Sequence, residues 1–371
     1  MSKIFELYGY RLDCWSAEAS ANREKAWCPF MDAECDGGGN RYLSALDIKK
    51  NPTLAKFFPG KETVQSGVCS LRLQDFEQPW IVCPRRLLSL KGQRANHQAH
   101  VRDKLAKHSN LEQGQLYRAW SEVKMKVETT NDEDEAKSFD YTFDYVIAGS
   151  ARKKLSEVAE IIGQGLRAAQ KIAEKNQYTL ASREGELWVD DFPSDPIVIV
   201  EIMTSSTSGG DKKKRTQIAM ACEDAVISPE THNGPGINYR QVWARMVSQL
   251  IAKSQVGLAW NGKTIWLLQD LLTQYISSTT ALDLSKYTAQ HSDEVNILAF
   301  GYGELEREPT SSIKELSDFT FYAGPITDHP DDLASKGFIE IVKIGAPPEK
   351  EHLWRSLFKK APCGSVAWKE R

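Results

Sequence analysis

Asp195-Pro196-Ile197-Val198-Ile199-Val200-Glu201-Ile202-Met203 is the stretch on which the fold turns. After the proline the residues are β-branched or otherwise apolar, apart from one glutamate. That is the composition of a strand buried on both faces inside a sheet. A charged residue in such a strand is costly unless it is paired or metal-bound. Glu201 therefore reads either as a functional carboxylate or as a structural one, satisfied by a partner or wetted on an edge strand.

The sequence around it supplies more of a mixed sheet. From Ser138 to Ala148, Phe139, Tyr141, Phe143, Tyr145 and Ile147 alternate with Asp140, Thr142, Asp144 and Val146, the period of a strand. Val123 to Val127 alternates apolar and basic residues. The acidic run Asp132-Glu133-Asp134-Glu135 between the two segments reads as a solvated loop closing a hairpin. From 151 to 176, Leu155, Val158, Ile162, Leu166, Ala169 and Ala173 recur three or four apart, predicting one amphipathic helix with Ser150 as cap and Asn176 as stop. A second helix is predicted over 240–253, burying Val242, Met246, Leu250 and Ile251. Asn261-Gly262 between Leu258-Ala259-Trp260 and Thr264-Ile265-Trp266 is a hairpin signal. Further strands are expected near 295–300, 318–322 and 338–342. The expected class is α/β (α+β), a mixed sheet flanked by helices.

Composition narrows little. The chain has 371 residues, a formal net charge of -3, 41% hydrophobic and 26% charged residues, ordinary for a globular protein of one or two domains. No apolar run approaches the ~20 residues that a membrane span needs. The net charge neither announces nor excludes a nucleic-acid partner, since charge distribution decides that. Basic residues are dense from Arg85 to His108, at Arg152 to Lys154 and at Lys212 to Arg215. The Met-Ser-Lys start lacks an apolar signal core, so a cytoplasmic, reducing location is expected.

In a reducing compartment, clustered cysteines are more often metal ligands than disulfides. Cys28, Cys35, Cys69 and Cys83 crowd the first quarter of the chain, the outer two each followed by proline. The spacing is not that of a regular two-CxxC ribbon. It predicts an irregular structural knuckle holding zinc or iron through four thiolates, a closed site with no open coordination position. Two regions follow: 1–95 with this module, and 96–371 with the sheet. Asp144 and Glu201, on neighbouring strands, could together hold Mg²⁺, which needs few protein oxygens. Asp140 is a rival for the aspartate position, and Glu122 a further acidic candidate that reads more simply as a surface residue.

Taken in order, Cys28-Pro29-Phe30, Cys35, Gly67-Val68-Cys69, Trp80-Ile81-Val82-Cys83-Pro84, Tyr141 to Ala148, Val200-Glu201-Ile202-Met203-Thr204 and Gly234-Pro235-Gly236-Ile237-Asn238, before a helix with Arg245, Gln249 and Lys253, resemble the NotI-type restriction endonucleases. These are a branch of the PD-(D/E)XK nuclease superfamily. The resemblance implies a bacterial homodimer that cuts both strands of a palindromic, GC-rich duplex site. It implies catalytic Mg²⁺ held by Asp144, Glu201 and the carbonyl of Ile202, and iron or zinc on the four cysteines. It also implies that position 203 is catalytic, usually lysine or glutamine. Met203 stands there instead, and a thioether cannot donate a hydrogen bond. The role could have moved to Lys212, Lys213 or Gln217, or the water could be placed without it. The alternative is a sequence-specific DNA-binding protein with an inactive nuclease fold. A nuclease without sequence preference is a third reading. Arg85, Arg86 and Arg94 are candidates for guanine or phosphate contact, and Lys212 and Lys213 for phosphate contact.

Overall fold

The computed structural model describes residues 2–38, 45–74, 77–90, 96–130, 136–208, 211–279, 284–287, 294–326 and 349–367. The chain begins with strands β1 (Ser2–Leu7) and β2 (Tyr10–Arg11), helix α1 (Ala17–Glu24), strands β3 (Trp27–Cys28), β4 (Ala33–Glu34) and β5 (Ala45–Asp47), and helix α2 (Pro52–Ala55). Strands β6 (Thr63–Gln65), β7 (Val68–Leu73) and β8 (Trp80–Ile81) lead to helices α3 (Pro84–Leu87) and α4 (Ala99–His108). The long hairpin β9 (Leu116–Thr130) and β10 (Ala136–Lys154) is followed by α5 (Leu155–Ile161), α6 (Leu166–Lys175), β11 (Leu180–Arg183) and β12 (Glu186–Met203). Then come β13 (Ser206–Ser208), α7 (Ile218–Ile227), β14 (Gly236–Asn238), α8 (Tyr239–Ala259), β15 (Lys263–Gln269), α9 (Asp270–Thr279), β16 (Val295–Gly301) and β17 (Ser317–Gly324). Helix α10 (Lys350–Phe358) and β18 (Gly364–Ala367) close the described chain.

The main sheet has eight strands in the order β17-β16-β15-β12-β10-β9-β18, with β11 paired to β12. Strand β12 runs parallel to β15, which runs parallel to β16, while the remaining pairs are antiparallel. Helices cover both faces. Val198, Val200 and Ile202 pack with α3 and α4 on one face. Ile197 and Ile199 share the other with α5, α6, α10 and the end of α8. The class is a mixed α/β fold with a large mixed sheet, as the sequence leads one to expect, and β12 is interior. The edge-strand reading of Glu201 is thereby excluded, since its residue is 2% exposed.

Two sequence expectations are corrected. The predicted 151–176 helix is two helices, because residues to Lys154 stay in β10 and the chain turns at Gly163, where φ is +62°. Asn176 does stop the second one. Asn261-Gly262 makes no hairpin. It ends α8, with Asn261 at φ +55° and the Gly262 N–H bonded to the Gly257 carbonyl at 2.9 Å, and the chain enters β15 beside β12. Strands β1, β2, β7 and β8 form a separate sheet, but its core, with Ile4, Leu7, Val68 and Leu71, is completed by Ala221, Cys222 and Ala225 of α7. The N-terminal sheet and α7 thus share one core. The acidic loop over 132–135 and the strand expected near 338–342 lie outside the described residues.

Candidate functional site

Register brings Asp144 and Glu201 together. Tyr145 pairs with Val200 across β10 and β12, so Asp144 lies opposite Glu201. The Asp144 N–H donates to Glu201 Oε1 at 3.3 Å, and the Ile202 N–H donates to Asp144 Oδ2 at 2.8 Å. The main chain of Ile202, expected to lend a carbonyl, is thus at the pair. Glu201 is buried and Asp144 half-buried. Asp140 pairs with Lys126 four residues further towards the hairpin tip and is exposed. Of the two aspartates, Asp144 is the one set against the glutamate.

The buried side chains of β10 change face at this point. Tyr141 and Phe143 enter the core under α5 and α8, whereas Tyr145 and Ile147 enter the opposite core under α4. A strict alternation would have put all four on one face. On β9 the pairing steps from Val123 to Ser121, past Glu122, whose φ is +51°. Such irregularities re-aim side chains next to functional sites. Glu122 stands opposite Asp144 on the neighbouring strand, with its side chain 54% exposed and 3.4 Å from Arg85.

The cation at the site is Lys253 of α8. Its Nζ donates to Glu201 Oε2 at 2.5 Å and to the Thr142 carbonyl at 2.7 Å, and lies 5.7 Å from the centre of the Phe143 ring. Burial pushes the Glu201 carboxyl up to about 8, opposed by Lys253 and reinforced by Asp144. Met203 takes no polar part in this. It is half-buried against the cluster of Val242, Met246, Leu250 and Trp266. Lys212 and Lys213 are exposed on the turn after β13, where Asp211 accepts the Lys213 and Lys214 N–H groups, and Gln217 precedes α7. None of these three is the partner of Glu201. Lys253 was readable as an anomaly in the sequence: it stands three residues after Leu250 and seven after Met246, on the buried stripe of its helix.

The four cysteines converge from β3, the end of β4, β7 and the start of α3. Cys28, Cys69 and Cys83 belong to one buried cluster with Phe30 and Tyr10, and Cys35 packs against it. Burial pushes the Cys28 thiol up to about 12, with Cys83 adding to the rise. Burial likewise raises Cys35, Cys69 and Cys83, and for Cys35 and Cys69 the neighbouring cysteines add to it. A cation among them would reverse that direction by holding thiolates. Cys69 Sγ already faces a donor, the Gly9 N–H at 3.3 Å. Among the described residues no group of three or more His, Cys, Asp or Glu side chains is arranged to hold a metal ion. The donor chemistry nonetheless suits a soft ion at the cysteines and a hard one at the carboxylate pair.

Arg85 and Arg86, candidates for DNA contact, are buried in the fold. Arg86 is fully buried, with Nε at 3.0 Å and Nη2 at 3.0 Å from the Glu6 carboxylate. Arg85 is 6% exposed in its side chain and joins Asp36, Glu122 and the Tyr145 hydroxyl. Both guanidinium groups are engaged inside the protein. Arg94 lies outside the described residues. A cleft of about 890 Å³ is lined by other groups, among them Arg11, Arg72, Asp270, Glu304 and Asp318. No helix among the described residues is long and apolar enough to cross a membrane. Comparison of the chain with protein-family models, curated proteins and solved structures gives no match.

Proposed function

We propose that the protein is an Mg²⁺-dependent endonuclease of the type II restriction class, with a PD-(D/E)XK-like core and a tetrathiolate module of zinc or iron. The observation that carries this reading is the Asp144–Glu201 pair, set side by side on adjacent interior strands. Two carboxyls side by side in a buried setting resist being ionised together, and a divalent cation favours the doubly ionised form. Asp144 and Glu201 would hold Mg²⁺, with the Ile202 main chain alongside. When bound, Mg²⁺ lowers the pKa of water and stabilises charge developing on a phosphodiester.

The chain's own residues supply the rest. Burial of Glu201 keeps the site at low effective dielectric, where each charge acts more strongly on the phosphate. Asp144 is fixed by the Ile202 N–H, so the pair needs little reorganisation. Exposed Lys212 and Lys213 follow β13, which continues from the catalytic strand, and suit contact with the phosphate backbone. A palindromic duplex site and a homodimer follow from the same reading, since two identical cuts need two copies of one site.

The test is digestion of plasmid and phage DNA by purified protein with Mg²⁺ or with EDTA. Discrete Mg²⁺-dependent fragments are expected. A smear would point to a nuclease without sequence preference. Intact DNA that is nevertheless shifted on a native gel would replace the proposal with a DNA-binding protein.

A further inference from the structure

We infer that Lys253 is the third member of the catalytic group, acting from helix α8 in place of a lysine at strand position 203. The inference rests on the endonuclease reading above and goes beyond it, because it moves a reacting group from the sheet to a helix. Three observations support it. The first is position: Lys253 Nζ lies 2.5 Å from Glu201 Oε2 and 2.7 Å from the carbonyl of Thr142, two residues before Asp144. It touches the metal-binding pair from the face that Glu201 itself occupies. The second is the character of position 203. Met203 points into the apolar cluster formed with α8 and α9, so the strand offers no donor where one is expected. The third is cost. Lys253 is 8% exposed, and a buried ammonium is expensive unless something is gained by keeping it.

An ammonium carries three protons. Glu201 and Thr142 take one each, and the third is the one assigned to the attacking water or the scissile phosphate oxygen. In this arrangement Lys253 orients the water beside the carboxylates and stabilises charge as it grows on the phosphate. The Phe143 ring, 5.7 Å away, and the Glu201 carboxylate hold the ammonium in place.

Three variants separate this role from a merely structural one: Lys253→Met, Lys253→Arg, and Lys253→Met combined with Met203→Lys. Each is compared with wild type for Mg²⁺-dependent cleavage of phage DNA, for DNA affinity in Ca²⁺, and for thermal melting. Lys253→Met is expected to cut about 10²-fold more slowly or worse, with DNA affinity in Ca²⁺ within about threefold of wild type. Lys253→Arg retains the charge pair with Glu201 and hence the melting temperature, and is expected to remain slow. The double variant returns an amine to the strand and is expected to recover about tenfold or more over Lys253→Met. Cleavage by Lys253→Met within about threefold of wild type overturns the inference while leaving the endonuclease reading intact. Full activity in Lys253→Arg overturns it too, by showing that only the ion pair matters. Wild-type protein that binds DNA and never cuts it overturns both.

Discussion

Glu6 and Glu201 are both buried against a cation, and the two arrangements are built differently. Glu6, on β1, is gripped by Arg86 through two nitrogens and also accepts from Ser70 Oγ at 2.9 Å and the Tyr302 hydroxyl at 2.6 Å. Arg86 further donates to the Lys314 carbonyl at 2.7 Å and lies over the rings of Phe30 and Tyr302. Both carboxylate oxygens have donors, and the guanidinium fork suits the carboxylate. Glu201 has a point-charge partner, Lys253, and a second carboxylate, Asp144, pressed against it. The first arrangement satisfies both carboxylate oxygens, leaves Arg86 Nη1 without a hydrogen bond, and joins β1 to α3 and Tyr302. The second keeps like charges together, which lowers stability unless a ligand uses them. Burial alone does not mark a functional carboxylate; a second carboxylate set directly against it does.

Substitutions can break this contrast at either end. Arg86→Met leaves Glu6 buried without its main partner and is expected to cost about 3–5 kcal/mol of stability, read by urea denaturation. Replacing both, as Glu6→Leu with Arg86→Met, is expected to cost less than the single change. If the double variant were the less stable, this description of the Glu6 site would fail. Glu201→Gln is expected to leave the fold intact and to slow Mg²⁺-dependent cleavage by about 10²–10³. An equal loss of stability in Glu6→Gln and Glu201→Gln would erase the distinction between the two sites.

Smaller effects sharpen it. Arg85 spans the two regions, holding Asp36 beside Cys35 and Glu122 opposite Asp144. Arg85→Met is expected to cost about 1.5–3 kcal/mol and to reduce cleavage more than DNA binding, as measured by turnover against a gel shift. The pH dependence follows from Glu201. Its pKa lies above the unfolded value, at about 8 in the fold against 4.5, so its contribution to stability is complete below about 4.5 and is lost as pH rises towards about 8. Glu201→Gln should therefore flatten the fall of melting temperature over that range, and a fall of equal steepness in both proteins would contradict the shift. Lys212→Ala is the mildest change, expected to lower the salt dependence of DNA binding by about one phosphate contact.

Much of this architecture was legible in the chain. Ile197 to Met203 announced an interior strand through its run of branched residues, and the buried stripe of α8 through Val242, Met246, Leu250 and Ile251. Local pattern could not fix what tertiary pairing decides. Asn261-Gly262 serves a hairpin or a helix stop equally well, and only the pairing of β15 with β12 settles which. The change of face between Phe143 and Tyr145, beside Glu122 at φ +51°, breaks strand periodicity through backbone conformation that side-chain pattern does not encode. Arg85 and Arg86 looked like surface cations because Glu6, Asp36 and Tyr145 are distant in sequence. Lys253 escaped for the same reason: more than fifty residues separate it from Glu201, although its place on an apolar helix face was a visible irregularity.

The most direct measurement is a comparison of wild type with Glu201→Ala on phage DNA, each with Mg²⁺ and with EDTA, alongside thermal melting to confirm that both are folded. The account predicts discrete fragments from wild type in Mg²⁺ alone, and none from a folded Glu201→Ala that still binds the DNA. The same fragments from Glu201→Ala would contradict it, because the carboxylate pair would then have no part in the chemistry.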